Sequence, residues 1–188
     1  MKGKTLLIID AQHDFIDGSM AVEGAKETMD KLTEYVKEHG KEYEGIIFTV
    51  DWHPITHCSF QQHGGQWPNH CVAFSEGAAL YNPLLMAAHE AHHLVFILTK
   101  GTVENKEEYS IFKNEQSFKI LMNFLAVSDT QQIDVCGIAY DYCVHDSVED
   151  AMKLGMSKKL HVLKDYCPCI GDRQKIDDWL EDEGIDSE

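Results

Sequence analysis

The chain has 188 residues, 44% of them hydrophobic and 26% charged, which suits one α/β domain with a full hydrophobic core; it reads as a single domain over 1–188. Its 16 Lys and Arg against 32 Asp and Glu leave a formal charge of −16, which repels phosphate backbones and excludes nucleic acid as an expected partner. Met1-Lys2-Gly3-Lys4 runs directly into an apolar segment with no room for a signal peptide, and apolar runs such as 94–98 are too short to span a bilayer, so a cytoplasmic, reduced protein without a membrane partner is expected.

In chain order, Thr5-Leu6-Leu7-Ile8-Ile9-Asp10 is a short apolar strand ending in a carboxylate, the pattern of a strand buried on both faces. Residues 11–24 read as a loop, with Asp17-Gly18 as a turn signal. A helix over 25–39 places Met29, Leu32, Tyr35 and Val36 on one face and stops at Gly40. A second apolar strand, 45–50, again meets a carboxylate, Asp51. Residues 51–80 show no regular period, and a segment that long inside a compact domain is usually functional. A short helix over 82–92 has Pro83 in its first turn. A third strand, 94–99, ends at Lys100-Gly101. A helix over 115–126 aligns Phe118, Leu121, Met122 and Leu125. A fourth strand covers 132–138, a helix runs from Cys143 to about Leu154, a fifth strand covers 159–163 and an acidic amphipathic helix covers 172–183. The tail to Glu188 reads as solvated.

Strands alternating with helices predict a three-layer, doubly wound, mostly parallel sheet of five to six strands with helices on both faces. In such a sheet all strand carboxyl ends share one edge, where ligands bind. That edge carries Asp10, Asp51, Lys100 and the turn holding Cys143. Cys143 falls at the start of a helix, where unpaired N–H groups and the helix dipole favour the thiolate. The six cysteines, at 58, 71, 136, 143, 167 and 169, read as thiols rather than a disulfide framework. Cys136, inside a strand, reads as core, and Cys167-Pro168-Cys169 reads as a turn.

The irregular segment holds a second set of residues. His53, His57, His63 and His70 crowd into it behind Asp51-Trp52-His53. An Asp-x-His pair in extended chain puts two ligands on one side, and a third returning from the loop closes a site with open positions for Zn²⁺, Fe²⁺ or Mn²⁺. His89-Glu90-Ala91-His92-His93 formally fits the zinc-protease pattern. That pattern needs a continuous helix, whereas His93 abuts a strand.

Asp10, Asp51-Trp52-His53-Pro54, Trp67-Pro68-Asn69-His70-Cys71-Val72, Lys100-Gly101 and Gly137-Ile138-Ala139-Tyr140-Asp141-Tyr142-Cys143-Val144 follow one another in that order. Together they resemble the nicotinamidase/pyrazinamidase branch of the isochorismatase-like cysteine hydrolases, over roughly residues 5–170. The resemblance implies Cys143 as nucleophile, Asp10 as general base and Lys100 as third member of the triad. It implies backbone N–H groups of Ala139 and Cys143 as oxyanion donors, with a cis peptide before Ala139. It implies one divalent metal, zinc first with iron or manganese also fitting, on Asp51, His53 and His70. His57 is the first candidate for a fourth ligand and His63 a weaker one. Phe15 and Trp67 match aromatic positions that sandwich the substrate ring, and Tyr109 and Tyr142 are further candidates for the pocket wall.

The implied activity is deamidation of nicotinamide to nicotinate and ammonia in NAD salvage, with pyrazinamide as a second substrate. The alternatives are hydrolysis of another small amide or an enol ether, or a non-catalytic metal- or ligand-binding role on this fold. A homo-oligomer is compatible with the resemblance. Two stretches depart from the family pattern: Ala73-Phe74-Ser75 stands where Gln-Gly-Thr is usual, and Glu108-Tyr109-Ser110 where Asp-Ser-Tyr-Ser is usual.

Overall fold

A computed structural model describes residues 3–188; Met1 and Lys2, read above as the lead into the first strand, lie outside them. Six strands form one parallel sheet: β1 Lys4–Ile9, β2 Gly45–Asp51, β3 Val95–Lys100, β4 Gln132–Gly137, β5 Leu160–Val162 and β6 Asp186–Ser187, ordered β3-β2-β1-β4-β5-β6. β1 and β2 are buried almost throughout, which explains why they read as unbroken apolar runs rather than alternating ones. β3 lies at an edge, so its apolar run is only partly covered and Ile97 is half exposed.

Six α-helices join the strands: α1 His13–Ile16, α2 Ala25–His39, α3 Asn82–Ala91, α4 Glu115–Val127, α5 His145–Lys153 and α6 Arg173–Asp182. On α2 the predicted face is the buried one for Met29, Leu32 and Val36. The Asn114 side chain accepts from Ser117 N (3.1 Å) at the start of α4, and Asp172 accepts from Gln174 N (3.1 Å) at the start of α6. Each satisfies a donor that the first helical turn leaves free. α3 ends at Ala91 and His92 is already extended, so His89 and His93 do not share a helix and the protease pattern lacks its scaffold.

Three segments differ from the sequence reading. The 11–24 loop contains the short helix α1, driven by burial of Phe15 and Ile16. The tail is not solvated throughout: β6 pairs with β5 through backbone groups, with Glu188 N donating to Val162 O (3.1 Å) and Lys164 N to Glu188 O (2.7 Å). Such pairing needs no apolar side chains, so the acidic tail carried no hydrophobic pattern to reveal it. Finally, Cys143 stands just before the first turn of α5, as expected, but the segment that carries it is itself helical. It lies in a π-helical turn, Tyr140–Val144, that leads into α5. Among the described residues, no helix is long and apolar enough to cross a membrane.

From β1 the chain winds outward through β2 and β3; from β4 it winds the other way through β5 and β6. The reversal falls between β1 and β4, and the crevice beyond their carboxyl ends is where an open parallel sheet offers a binding site.

Candidate active site

Asp10 follows β1 at that reversal. Its φ of 48° is left-handed, a conformation Asp tolerates better than most residues, and it turns the chain off the sheet. Lys100 ends β3, Asp51 ends β2, and Cys143 arrives six residues beyond β4. All four side chains are buried, Asp10 and Lys100 completely. Lys100 Nζ lies 2.7 Å from Asp10 Oδ2, 2.5 Å from Asp51 Oδ1 and 3.4 Å from Cys143 Sγ. Thr49 Oγ1 donates to Asp10 Oδ1 (2.7 Å), while Asp10 Oδ2 receives no aligned hydrogen bond from any protein donor. The Asp10 and Asp51 carboxylates and the Cys143 sulfur all lie within 4.8 Å of one another.

The charges are not independent. Burial raises Asp10 above the ordinary carboxylate value, Lys100 opposes the rise and Asp51 adds to it. Burial works against ionisation of Asp51 too, but Lys100 and His53 outweigh it and hold Asp51 ionised well below the usual range. Burial pushes the Cys143 thiol well above its ordinary value; Lys100 pulls it down, and the two carboxylates push it further up. The acidic thiolate expected at a helix start is therefore opposed by burial and by the two carboxylates, and favoured by Lys100. In chelator-treated protein, alkylation of Cys143 by iodoacetamide, followed by peptide mass spectrometry, should keep accelerating beyond about pH 9. A plateau below about pH 8 would mean that the helix dipole, not burial, sets its charge.

The irregular loop returns His70 to the end of β2. His53 pairs with Val72 in a short parallel bridge, His53 N donating to Cys71 O (3.0 Å) and Ala73 N to His53 O (2.8 Å). The ligand atoms of Asp51, His53 and His70 lie within 4.8 Å of one another. His53 Nδ1 donates to Gly101 O (2.8 Å) and His70 Nδ1 to Pro68 O (2.8 Å). When neutral, both rings therefore present Nε2 as an acceptor, the arrangement carbonyl partners impose on metal-ligating histidines. His53 Nε2 is buried without a hydrogen-bond partner, 3.5 Å from Asp51 Oδ2. A buried orphan acceptor beside a carboxylate and a second imidazole fits a divalent cation. Gly101 makes this approach feasible: its φ is +63° and a Cβ there would lie 2.3 Å from the His53 ring.

His57 is not brought into that cluster. Its Nε2 donates to Lys106 O (3.0 Å), its Nδ1 meets Ser59 Oγ (2.7 Å), and its ring stacks behind His53 at 4.0 Å between centroids. With both nitrogens engaged it supports the ligand ring and cannot serve as a fourth ligand, which corrects the sequence expectation. His63 sits on an exposed turn outside the cluster.

A narrow pocket of about 30 Å³ lies above the thiol, lined by Phe15, Met20, Asp51, Trp67, His70, Tyr109, Ala139, Tyr142, Cys143 and Ile170. Trp67 and Tyr142 meet edge to face at 5.2 Å, and Trp67 Nε1 donates to Tyr109 Oη (2.9 Å). The four aromatic residues named from the sequence all stand on this wall, and their faces favour a flat, aromatic group. The Ile138–Ala139 peptide is cis. The Ala139 N–H has no protein acceptor among the described residues and lies beside Cys143 on the same wall.

Other residues of the site had no individual signal in the sequence. Gln12 is fully buried; its Nε2 donates to Asp51 O (2.8 Å) and its Oε1 accepts from Asp51 N (2.8 Å). It continues the β1–β2 ladder with a side-chain amide and fixes the Asp51 backbone. Asp14 Oδ2 accepts from Cys71 N (2.7 Å) next to His70. Glu108 is buried and accepts from Gly101 N (2.9 Å) and Asn114 Nδ2 (2.9 Å), which anchors the turn after Lys100. The proximity of Gln12 and Asp14 to the end of β1 is the one hint the sequence carried.

A buried carboxylate–lysine–thiol cluster beside a His₂-Asp cation site, at the reversal point of a parallel sheet, defines an α/β protein built for nucleophilic chemistry on a small ring compound. The isochorismatase domain model matches residues 4–175. The nicotinamidase of Escherichia coli is 35% identical, covering 89% of this chain and 84% of that one. Among solved structures, the pyrazinamidase of Pyrococcus horikoshii in complex with zinc superposes with a TM-score of 0.84 at 28% identity, covering 99% and 98% of the two chains. The yeast nicotinamidase bound to the inhibitor nicotinaldehyde gives 0.86 at 26% identity, covering 98% of each. The chain belongs to the isochorismatase domain family.

Proposed function

We propose that this chain is a metal-dependent nicotinamidase that hydrolyses nicotinamide to nicotinate and ammonia, and accepts pyrazinamide, with Cys143, Asp10 and Lys100 as its catalytic set. The observation that carries this reading is the pairing of a thiol beside a base with a candidate cation site on one aromatic pocket: Cys143 lines it together with Asp51 and His70 of the Asp51/His53/His70 cluster. The relatives support it, being nicotinamidases over most of their length.

Asp10 Oδ2 takes the Cys143 proton as the sulfur attacks the carboxamide carbon. Lys100 holds Asp10 and the sulfur in register and offsets the negative charge that moves between them. The oxyanion is met by the Ala139 and Cys143 N–H groups. Protonated Asp10 then gives its proton to the departing nitrogen, ammonia leaves, and a Cys143 thioester remains. A water deprotonated by Asp10 attacks the thioester and releases nicotinate and the thiol. Phe15 and Trp67 hold the ring flat and exclude bulk water. Asp51, His53 and His70 would hold the metal, zinc first, as in the Pyrococcus relative, with iron and manganese fitting the same donors. When bound, the metal supplies a Lewis acid for the ring nitrogen of the substrate.

Purified, zinc-loaded protein should release ammonia from nicotinamide, and removal of the metal by a chelator should lower kcat/KM by about 10²-fold or more, restored by added zinc. Turnover of nicotinamide that is indifferent to chelation would overturn the role of the Asp51/His53/His70 site. Hydrolysis of other small amides without nicotinamide turnover would overturn the substrate.

A further inference from the structure

We propose that Asp141 is a positioning residue that holds Ile170 across the mouth of the pocket, and that this contact sets how large a substituent on the substrate ring is accepted; the proposal rests on the amidase reading above. Ile170 lines the pocket and also, with Met20 and Trp67, lines a wider outer groove that includes Ser19, Pro68, Cys169 and Gly171. These three side chains form the rim between the two spaces. Asp51, His70, Ala139 and Cys143 line the inner pocket alone. A carboxamide directed at Cys143 therefore leaves the far side of its ring facing the rim.

Apolar packing alone does not hold Ile170, whose side is 46% exposed. The chain around it is irregular. Before it, Tyr140 N donates to Pro168 O (2.9 Å); after it, Asp172 turns away to begin α6. Between those points, among the described residues, the backbone is tied by hydrogen bonds to one side chain. Ile170 N donates to Asp141 Oδ1 (3.0 Å) and Gly171 N to Asp141 Oδ2 (2.7 Å). The Cys169 thiol sits against the same carboxylate, which together with burial pushes it up to about 11. A Cβ at Gly171 would lie 3.0 Å from Asp141 Oδ2, close enough to press the carboxylate aside by a few tenths of an ångström. Two adjacent N–H groups on one carboxylate make a strong, directional clamp. Asp141 stands two residues before Cys143 in the π-helical turn, so it gauges the rim from the nucleophile's own turn. No atom of Asp141 lines the pocket.

Asp141→Asn keeps the shape but sets an amide NH₂ against one of the two donors. The test is kcat and KM for nicotinamide and for nicotinamides carrying a methyl group at each open ring carbon. The enzymes compared are wild type, Asp141→Asn, Ile170→Ala and the double variant. At the ring position facing the rim, both single variants should raise the methylated-to-parent ratio of kcat/KM by about tenfold, the range of one methyl in a fitted pocket. In Asp141→Asn, KM for nicotinamide should rise while kcat changes by less than about threefold. The double variant should relax the ratio no further than Ile170→Ala, because both act through one side chain. Equal losses on every substrate with the ratio unchanged in Asp141→Asn would overturn the proposal, as would a ratio that moves in Ile170→Ala alone. Should Asp141→Asn fail to fold, Gly171→Ala displaces the same N–H from the carboxylate and must give the same change in ratio. A readout independent of the substrate is alkylation of Cys143 by N-ethylmaleimide relative to iodoacetamide. The ratio should rise in both single variants even if nicotinamide proves not to be the substrate; an unchanged ratio would overturn the clamp itself.

Discussion

A Cys143→Ala variant should fold and release ammonia from nicotinamide at least about 10⁴-fold more slowly than the wild type. The size follows from what is lost. The pocket, the cation site and the oxyanion donors remain, so binding and some polarisation of the amide persist, but no covalent intermediate can form. The structural cost is small: one sulfur atom goes from a buried site, on the order of 1 kcal/mol, which a thermal melt would register as a shift of a few degrees. Cys136→Ala and Cys167→Ala provide the controls. Both thiols are also buried, and burial raises both, Cys167 to about 12. Neither has Asp10 or Lys100 beside it, so activity should be retained. Loss of activity in either control at unchanged stability, or turnover by Cys143→Ala within tenfold of wild type, would remove Cys143 from the reaction.

Lys100→Met should cost about 3–5 kcal/mol of stability at neutral pH, the penalty of breaking a buried ion pair by removing one partner, and abolish measurable turnover. For a domain of this size that is roughly 6–20 °C in Tm. Lys100 is completely buried and is the cation between Asp10 and Asp51. Burial alone would lower its pKa, yet the two carboxylates hold it well above the ordinary lysine value. A lysine raised in this way contributes stability that is complete below its unfolded pKa and fades only as pH rises through the folded one, so between about pH 5 and 9 its contribution is full. Asp51, lowered in the fold, contributes stability above its unfolded value that is lost only in strong acid.

Removing the cation deepens the imbalance at Asp10, whose pKa burial and Asp51 already raise in the wild type against the opposing charge of Lys100. In Lys100→Met the folded state then binds a proton still more readily, relative to the unfolded chain, than in the wild type. Stability of the variant must rise as pH falls, and the Tm gap to wild type must narrow from pH 8 to pH 5. A gap of under about 2 °C at pH 8, or one that widens in acid, would show that Lys100 does not neutralise these carboxylates.

The order of strands and helices was legible because each element carries a local period. Parallel strands buried on both faces read as apolar runs, and α2 and α4 repeat their apolar residues at helical spacing. The carboxyl-edge residues followed from the same fact, since a strand of a parallel sheet delivers whatever comes next to one known edge. Reading failed where pairing rests on backbone alone, as in β6, and where a short helix owes its existence to tertiary burial, as in α1. The local position of Cys143 before a helix was legible, whereas its burial, which pushes the thiol up, comes from the packing of the strands around it.

The four loop histidines show where the division lies. By itself the sequence pointed to residues 51–70 as the place for a candidate cation site built on Asp51, since composition and the Asp-x-His spacing are local properties. Only the tertiary structure decided which histidines could belong to it. His53 and His70 each spend Nδ1 on a carbonyl and leave Nε2 bare, whereas His57 spends both nitrogens and packs behind the cluster. An imidazole's capacity to bind a metal is set by the hydrogen bond on its other nitrogen. That partner, the Gly101 carbonyl for His53 and the Lys106 carbonyl for His57, is supplied by a different part of the chain.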